Sequence, residues 1–283
     1  SGDRSITLIW VLRREGFPDW IVKYVNNFVT RRRTKIRFTG YTSDWIKTEV
    51  GISQGPHLPP ILFLFYISEL IEGLQRPEQV HMAFGFVDDT TIVTWTNTAY
   101  KNCGSFEQAY EKCLVWAKRY GATFAPEKYW LIYITRKRGI SSDLNEGIKI
   151  KGVRLSPKTE IKILEIVVDK LLRWGAQVEQ SVQKAEAAFN VMCRLTSLVW
   201  GPSLRLSRLI YSAVVRPTML NGSKIWGTRY EGRLLPKSTI RKLQKVKNNC
   251  FSRITGAYKR TSKVVLEKEA SIPPLIFILE QRH

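Results

Sequence analysis

The sequence predicts an α+β fold: a first part, residues 1–170, of short strands and packed helices, and a second, mostly helical part, residues 171–283. Three observations point there. Up to about residue 155, apolar runs of strand length alternate with segments whose apolar residues recur at helical spacing. Beyond Asp169 the pattern changes to long stretches with one apolar and one basic face. A chain of 283 residues, 44% of them apolar, can bury a real core as one large domain or two smaller ones.

Residues 6–14 read as the end of a helix, stopped by Glu15-Gly16-Phe17-Pro18, and 20–30 as the next. Residues 34–39 and 45–50 form a hairpin around Gly40-Tyr41. The stretch Gly51-Ile52-Ser53-Gln54-Gly55-Pro56-His57-Leu58-Pro59-Pro60 leads into a helix over 61–73, and proline's tolerance of the first helical turn places its start near Pro59 or Pro60. Residues 84–93 are two apolar strand-forming runs with Asp88-Asp89 at their tip. Phe106, Ala109, Tyr110, Cys113, Leu114 and Ala117 predict a helix over 105–120. Strands are expected at 124–135, 148–155 and 161–168, and long helices at 178–200, 204–215 and 238–254. The sequence contains no internal repeat and no low-complexity tract.

Charge narrows the partners. Lys and Arg number 45 against 24 Asp and Glu, a formal charge of +21, which draws polyanions and opposes compaction unless neutralised. Nucleic acid is the expected partner. Basic residues cluster at Arg31, Arg32, Arg33 and Lys35, at Arg136-Lys137-Arg138, and at Arg241, Lys242, Lys245 and Lys247. Nine Trp and eleven Tyr are interleaved, which suits phosphate contacts combined with base stacking. A solvated face accounts equally well for any one cluster, but less readily for the total. The four cysteines show no CxxC pairing and there are only three histidines, so neither a zinc site nor a disulfide framework is expected. The longest apolar run, 61–67, is far too short to span a bilayer and no apolar leader opens the chain; the expectation is a soluble intracellular protein, nuclear or cytoplasmic and not secreted.

Asp88-Asp89 is the feature that ordinary folding does not explain. Two-residue hairpin turns favour Asn-Gly, Asp-Gly and other glycine-containing pairs, and neighbouring carboxylates repel. Paired carboxylates suit a hard cation, since magnesium takes oxygen ligands. Two such ions serve in-line displacements at phosphorus. Successive strand residues point to opposite faces, so the two aspartates cannot serve one ion equally unless the turn redirects one; Asp88 is the expected direct ligand and Asp89 its support. An acidic surface hairpin is the competing reading.

Gly51-Ile52-Ser53-Gln54-Gly55 before the helix containing Ile61-Leu62-Phe63-Leu64-Phe65-Tyr66, followed about thirty residues on by Phe86-Val87-Asp88-Asp89, resembles the palm of a reverse transcriptase. The likeness is to non-LTR (LINE-type) retrotransposon enzymes of a form common in fungal elements. It continues in Phe124-Ala125-Pro126-Glu127-Lys128-Tyr129, Leu172-Arg173-Trp174, Val215-Arg216-Pro217, Trp226-Gly227 and Glu269-Ala270-Ser271-Ile272-Pro273-Pro274-Leu275, covering nearly the whole chain. Each motif is weak by itself; their order and spacing are specific. The resemblance implies an antiparallel palm sheet with packed helices, lacking its fingers, followed by a helical thumb or connection region. It implies an RNA-directed DNA polymerase taking dNTPs, Mg2+ or Mn2+, an RNA template and a DNA primer.

The implied roles fall on individual residues. Asp88 and Asp89 hold the metal; Gln54 and Gly55 line the nucleotide and template pocket, at a helix N-terminus where backbone N–H groups and the dipole attract phosphate. A proline-stabilised helix start explains the same loop. Phe86 lies beside the primer terminus or is a core aromatic, and Lys128 assists pyrophosphate departure or is a solvated loop lysine. Arg173, Trp174 and the basic helices grip the RNA–DNA duplex.

Departures from the family pattern are present. Pro56-His57-Leu58-Pro59-Pro60 stands where Ser-Pro-Leu-Ser-Pro is usual, replacing two capping residues by prolines. Glu165 occupies the usual glycine of a tight hairpin, and Asn221-Gly222 replaces tyrosine-glycine. The family's principal metal-binding aspartate counts back to a position at or before Ser1, so a fragment with little polymerase activity of its own is expected. A nucleic-acid-binding remnant without catalysis is the alternative from another class, and a group II intron maturase-like protein shares the palm.

Overall fold

The computed structural model describes residues 4–30, 32–48, 57–75, 81–135, 147–150, 152–195, 202–227, 235–258 and 260–281. Helices and small antiparallel sheets mix along the chain, as the α+β expectation requires. They gather into two compact units: Ser1–Leu131 with Gly139–Pro157, and Ile132–Arg138 with Lys158–His283.

In the first unit α1 (Arg4–Arg14) ends in a Schellman turn: Gly16 takes φ 77°, its N–H donates to Arg13 O, and the Phe17 N–H donates to Leu12 O. Pro18 then starts α2 (Asp19–Val29), whose Val22, Val25 and Val29 are buried at helical spacing. Next comes a long hairpin in which β1 (Arg32–Thr34) pairs with β4 (Ile46–Thr48) and β2 (Arg37–Phe38) with β3 (Tyr41–Thr42). Its turn is Thr39-Gly40, one residue earlier than expected, because Gly40 supplies the positive φ of 76°. Helix α3 (Leu58–Leu74) carries prolines in its first turn and buries Leu62, Tyr66, Ile67, Leu70 and Leu74. It packs against β5 (His81–Phe86), which pairs with β6 (Asp89–Thr94).

Helix α4 (Ala99–Tyr120) starts six residues before the expected 105, since the Thr98 hydroxyl accepts the Lys101 N–H and caps it there. It stops at Gly121, φ 64°. Trp116 and Tyr120 stack at 5.3 Å, and the Tyr66 hydroxyl donates to the Tyr120 carbonyl at 2.6 Å. The Glu69 carboxylate ties α1 to α4, accepting from Arg14 at 2.8 Å, Arg119 at 3.2 Å and the Tyr120 hydroxyl. Burial, then the Glu69 contact, pushes the Tyr120 phenol up to about 12.

Three strand expectations are corrected. Residues 124–135 form a 3-10 turn at Pro126–Lys128 and one isolated bridge, Leu131 to Pro157, because Pro126 withholds a ladder donor. Residues 148–155 are a hairpin, β7 (Ile148–Ile150) and β8 (Val153–Leu155), turning at Gly152 with φ 81°.

In the second unit, 161–168 likewise folds as a hairpin of β9 (Glu160–Ile163) and β10 (Ile166–Asp169). Its two turn residues, Leu164 and Glu165, take φ 46° and 70°, the left-handed region that favours glycine and asparagine. Lys162 at 2.7 Å and Lys184 at 3.0 Å hold the Glu165 carboxylate below the usual carboxylate range.

Helix α5 (Gly175–Leu195) packs on α9 (Lys237–Thr255), whose Leu243, Val246, Lys247, Cys250, Phe251 and Ile254 are buried. Between them α6 (Leu204–Ile210), a π-helical turn (Tyr211–Val215) and α7 (Arg216–Met219) run on as one helix past the expected end at 215. The wide turn accommodates Pro217, which has no N–H to give an ordinary turn; the Arg216 N–H reaches back to Tyr211 O instead. Then come α8 (Ser223–Trp226), α10 (Lys263–Glu269) and α11 (Leu275–Glu280). Gly222, before α8, has φ 65°, and a Cβ there would meet the Ile166 Cδ1 at 2.6 Å. Among the described residues no helix is long and apolar enough to cross a membrane.

Candidate active site

The β5–β6 register, Phe86 opposite Asp89 and His81 opposite Thr94, leaves only Val87 and Asp88 as the turn. The pleat then sorts the side chains. His81 and Ala83 are buried on the face toward α3 and the first unit's core, and at Gly85 a Cβ would stand 3.3 Å from the Ile71 Cδ1. Met82, Phe84, Phe86, Asp89 and Val93 share the opposite, exposed face. Burial lowers His81 below the usual imidazole value, with Lys112 adding to the effect.

Asp89 therefore begins a strand while Asp88 sits in the turn, outside the pleat's alternation. Both are exposed, and among the described residues neither is engaged in an ion pair. Val87 takes φ 53°, a left-handed conformation that a β-branched residue adopts only under constraint. Such strain concentrates at functional turns. The donor set, two hard carboxylates open to solvent, fits a divalent ion with oxygen preference. Among the described residues no group of three or more His, Cys, Asp or Glu comes together.

Phe86 is 60% exposed, not a core aromatic, and stands opposite Asp89. Lys128 ends the 3-10 turn, exposed, and among the described residues no hydrogen bond or ion pair joins it to Asp88 or Asp89. Gln54, Gly55 and Arg31 lie outside the described residues. At the start of α3 no side chain caps the helix, as the prolines in that stretch led one to expect.

Residues 8–168 match the family model described as Reverse transcriptase (RNA-dependent DNA polymerase). The chain belongs to the reverse transcriptase family. It is 23% identical over 246 residues to a probable RNA-directed DNA polymerase from transposon BS of Drosophila melanogaster, covering 84% of this chain and 26% of that protein. It is 21% identical over 268 residues to the RNA-directed DNA polymerase from mobile element jockey of the same species, covering 92% and 28%. A third Drosophila melanogaster relative, a probable RNA-directed DNA polymerase from transposon X-element, is 22% identical over 232 residues, 82% of this chain and 24% of its own length. The chain thus spans about a quarter of the length of these curated relatives. All three belong to mobile elements, in keeping with the retrotransposon resemblance.

Within this chain the basic residues divide. Arg33, Lys35, Arg173, Arg241, Lys242 and Lys245 are exposed and Arg32 is half-buried. Lys35 sits 4.6 Å above the Trp45 ring, and Lys242 pairs with Glu179. Two residues assigned to nucleic acid in the sequence do not offer themselves to it. The Trp174 ring lies in the second unit's core at 7% exposure and so cannot stack on a base. Lys247 has no exposed surface: its ammonium donates to Glu267 Oε1 at 2.7 Å and Pro273 O at 2.8 Å.

Asp169 holds a loop that the sequence pattern alone does not single out. Its Oδ1 accepts the N–H groups of Leu171 and Arg173 and its Oδ2 that of Trp174, fixing a loop in which Leu172 and Trp174 have φ 51° and 64°. An aspartate closely preceding a loop that lacks glycine is the signal that was available.

Proposed function

We propose that this chain forms part of the RNA-directed DNA polymerase of a non-LTR retrotransposon, residues 1–170 serving as palm and 171–283 as thumb or connection. The observation that carries the proposal is the Phe86-Val87-Asp88-Asp89 turn, which presents two exposed carboxylates beside an exposed aromatic. Family membership and the charge of +21 support it.

In this reading Asp88 is the direct ligand of Mg2+ or Mn2+ and Asp89 its support. The bound ion would stabilise charge on the phosphoryl oxygens as primer and dNTP are joined. The strained two-residue turn holds both carboxylates in place before substrates arrive, so that little reorganisation is needed. Phe86 flanks the primer terminus, Gln54 and Gly55 the nucleotide and template, and Lys128 favours departure of pyrophosphate. Exposed Arg33, Lys35, Arg173, Arg241, Lys242 and Lys245 neutralise template and duplex phosphates. The protein works inside the cell, in nucleus or cytoplasm.

The test is Mn2+ binding followed by electron paramagnetic resonance, with an RNA–DNA primer–template and dNTP present, alongside primer extension. Asp88→Asn should abolish the bound-Mn2+ signal and any template-dependent synthesis while leaving duplex affinity intact. A signal or a synthesis indifferent to Asp88→Asn would refute the reading and leave a nucleic-acid binder without catalysis.

A further inference from the structure

The long hairpin from β1 to β4 has no part in the carboxylate site, and every residue from Arg33 to Thr42 on it is exposed. Two-stranded hairpins are marginal by themselves in water and usually need a face to pack against. Here the strand registers sort the side chains into two unlike faces. Phe38 lies opposite Tyr41 and Thr34 opposite Ile46, while the Ile36 N–H donates to the Ser43 hydroxyl and the Ser43 N–H to Ile36 O. Ile36, Phe38, Tyr41 and Ile46 consequently share one face, 60%, 76%, 64% and 45% exposed. Arg33, Lys35 and Arg37 alternate with them onto the other face, joined by Lys47 opposite Arg33 and by Trp45 beneath the Lys35 ammonium. Asp44 is the one acid between Arg32 and Thr48.

We propose that this hairpin docks single-stranded nucleic acid: the Phe38–Tyr41 pair at its tip stacks on bases, and Arg33, Arg37 and Lys47 bind the phosphates of the same strand. The inference rests on the nucleic-acid reading above and adds to it the kind of strand and the mode of contact. Charge decides the occupant. Four cations on one face select a polyanion over an apolar protein surface, and the exposed aromatic pair on the other face of the tip selects unpaired bases, whose ring faces a duplex keeps stacked inside. Phe38, Thr39, Gly40 and Tyr41 at the tip are all exposed, so a flexible strand can cross it from one face to the other.

The full chain is titrated by fluorescence anisotropy against a labelled oligouridine RNA and against an RNA–DNA duplex. Phe38→Ser with Tyr41→Ser should weaken oligouridine binding by roughly tenfold or more and leave duplex affinity within about twofold, since each base–aromatic stack is lost separately from the phosphate contacts. Phe38→Tyr with Tyr41→Phe should keep the affinity. Arg33→Gln, Arg37→Gln and Lys47→Gln together should flatten the salt dependence of oligouridine binding by about 0.7 in slope for each phosphate contact removed. Oligouridine affinity unchanged by the double serine variant, or falling in step with duplex affinity, overturns the inference. If wild type binds neither probe, the nucleic-acid reading itself fails.

Discussion

Lys247 offers the sharpest energetic test, because one ammonium is held by three groups in the second unit's core. It donates to Glu267 Oε1 at 2.7 Å and to Pro273 O at 2.8 Å, and lies 5.0 Å from the Phe251 ring centre. Glu267 is itself only 16% exposed. Lys247→Met keeps a long unbranched side chain, so the cavity left is small, while the carboxylate loses its counter-charge. Breaking one side of a buried pair costs about 3–5 kcal/mol. Against a typical total stability of about 5–15 kcal/mol, that is a large fraction. Lys247→Met with Glu267→Met removes both charges and should recover about 2 kcal/mol or more of the loss, leaving mainly the unpaired Pro273 carbonyl. Equilibrium urea unfolding followed by circular dichroism, compared at constant slope, measures wild type, the two single variants Lys247→Met and Glu267→Met, and the double variant. A single-variant loss below about 1 kcal/mol, or a double variant that falls by the sum of its singles, would refute the reasoning.

Three further outcomes follow from the same structure. Leu164→Asn with Glu165→Gly replaces two strained residues by the pair that suits positive φ, and should stabilise by about 1 kcal/mol or more in urea unfolding, partly offset by the exposed Lys162 and Lys184 contacts. Asp169→Ala leaves the N–H groups of Leu171, Arg173 and Trp174 without their acceptor and should cost about 2–4 kcal/mol, with loss of near-ultraviolet circular dichroism from Trp174. Burial raises the Cys250 thiol from 9.0 to about 12. The unfolded chain therefore releases this proton first, so stability is full below pH 9 and falls as pH rises toward 12; Cys250→Ala should flatten that fall in a pH series of urea midpoints.

What could be read from the sequence was what local chemistry decides. Asp88-Asp89 stood out because two carboxylates in a turn oppose the ordinary choice, and the helices over 178–200 and 238–254 showed one apolar face each. Tertiary contacts set the rest. The residue types of Leu164-Glu165 do not mark a turn, which only the family resemblance placed there; pairing of Glu160 with Asp169 and the two lysines beside Glu165 hold it. The α4 start was obscured by Gly104 and Asn102, poor helix formers that the Thr98 cap outweighs. By composition Lys247 belongs to one basic run with Arg241, Lys242 and Lys245. Leu243 four residues before and Cys250 three after put it on the buried face, so helical phase, not composition, separates it from its neighbours.

The helix through Arg216 keeps its time in fours. Ser207, Tyr211, Val215 and Met219 are all buried, each four residues after the last. Ordinary winding of 3.6 residues per turn would drift about 40° at each such step, roughly 120° over three. The widened turn at Tyr211–Val215 absorbs that drift. With Pro217 keeping the turn wide, the phase of this helix depends on the number of residues at 211–215 more than on their identities. Deleting one residue within 211–215 should rotate everything before it by about 100° and turn Ser207 out of the core, whereas most single replacements there leave the rotation alone.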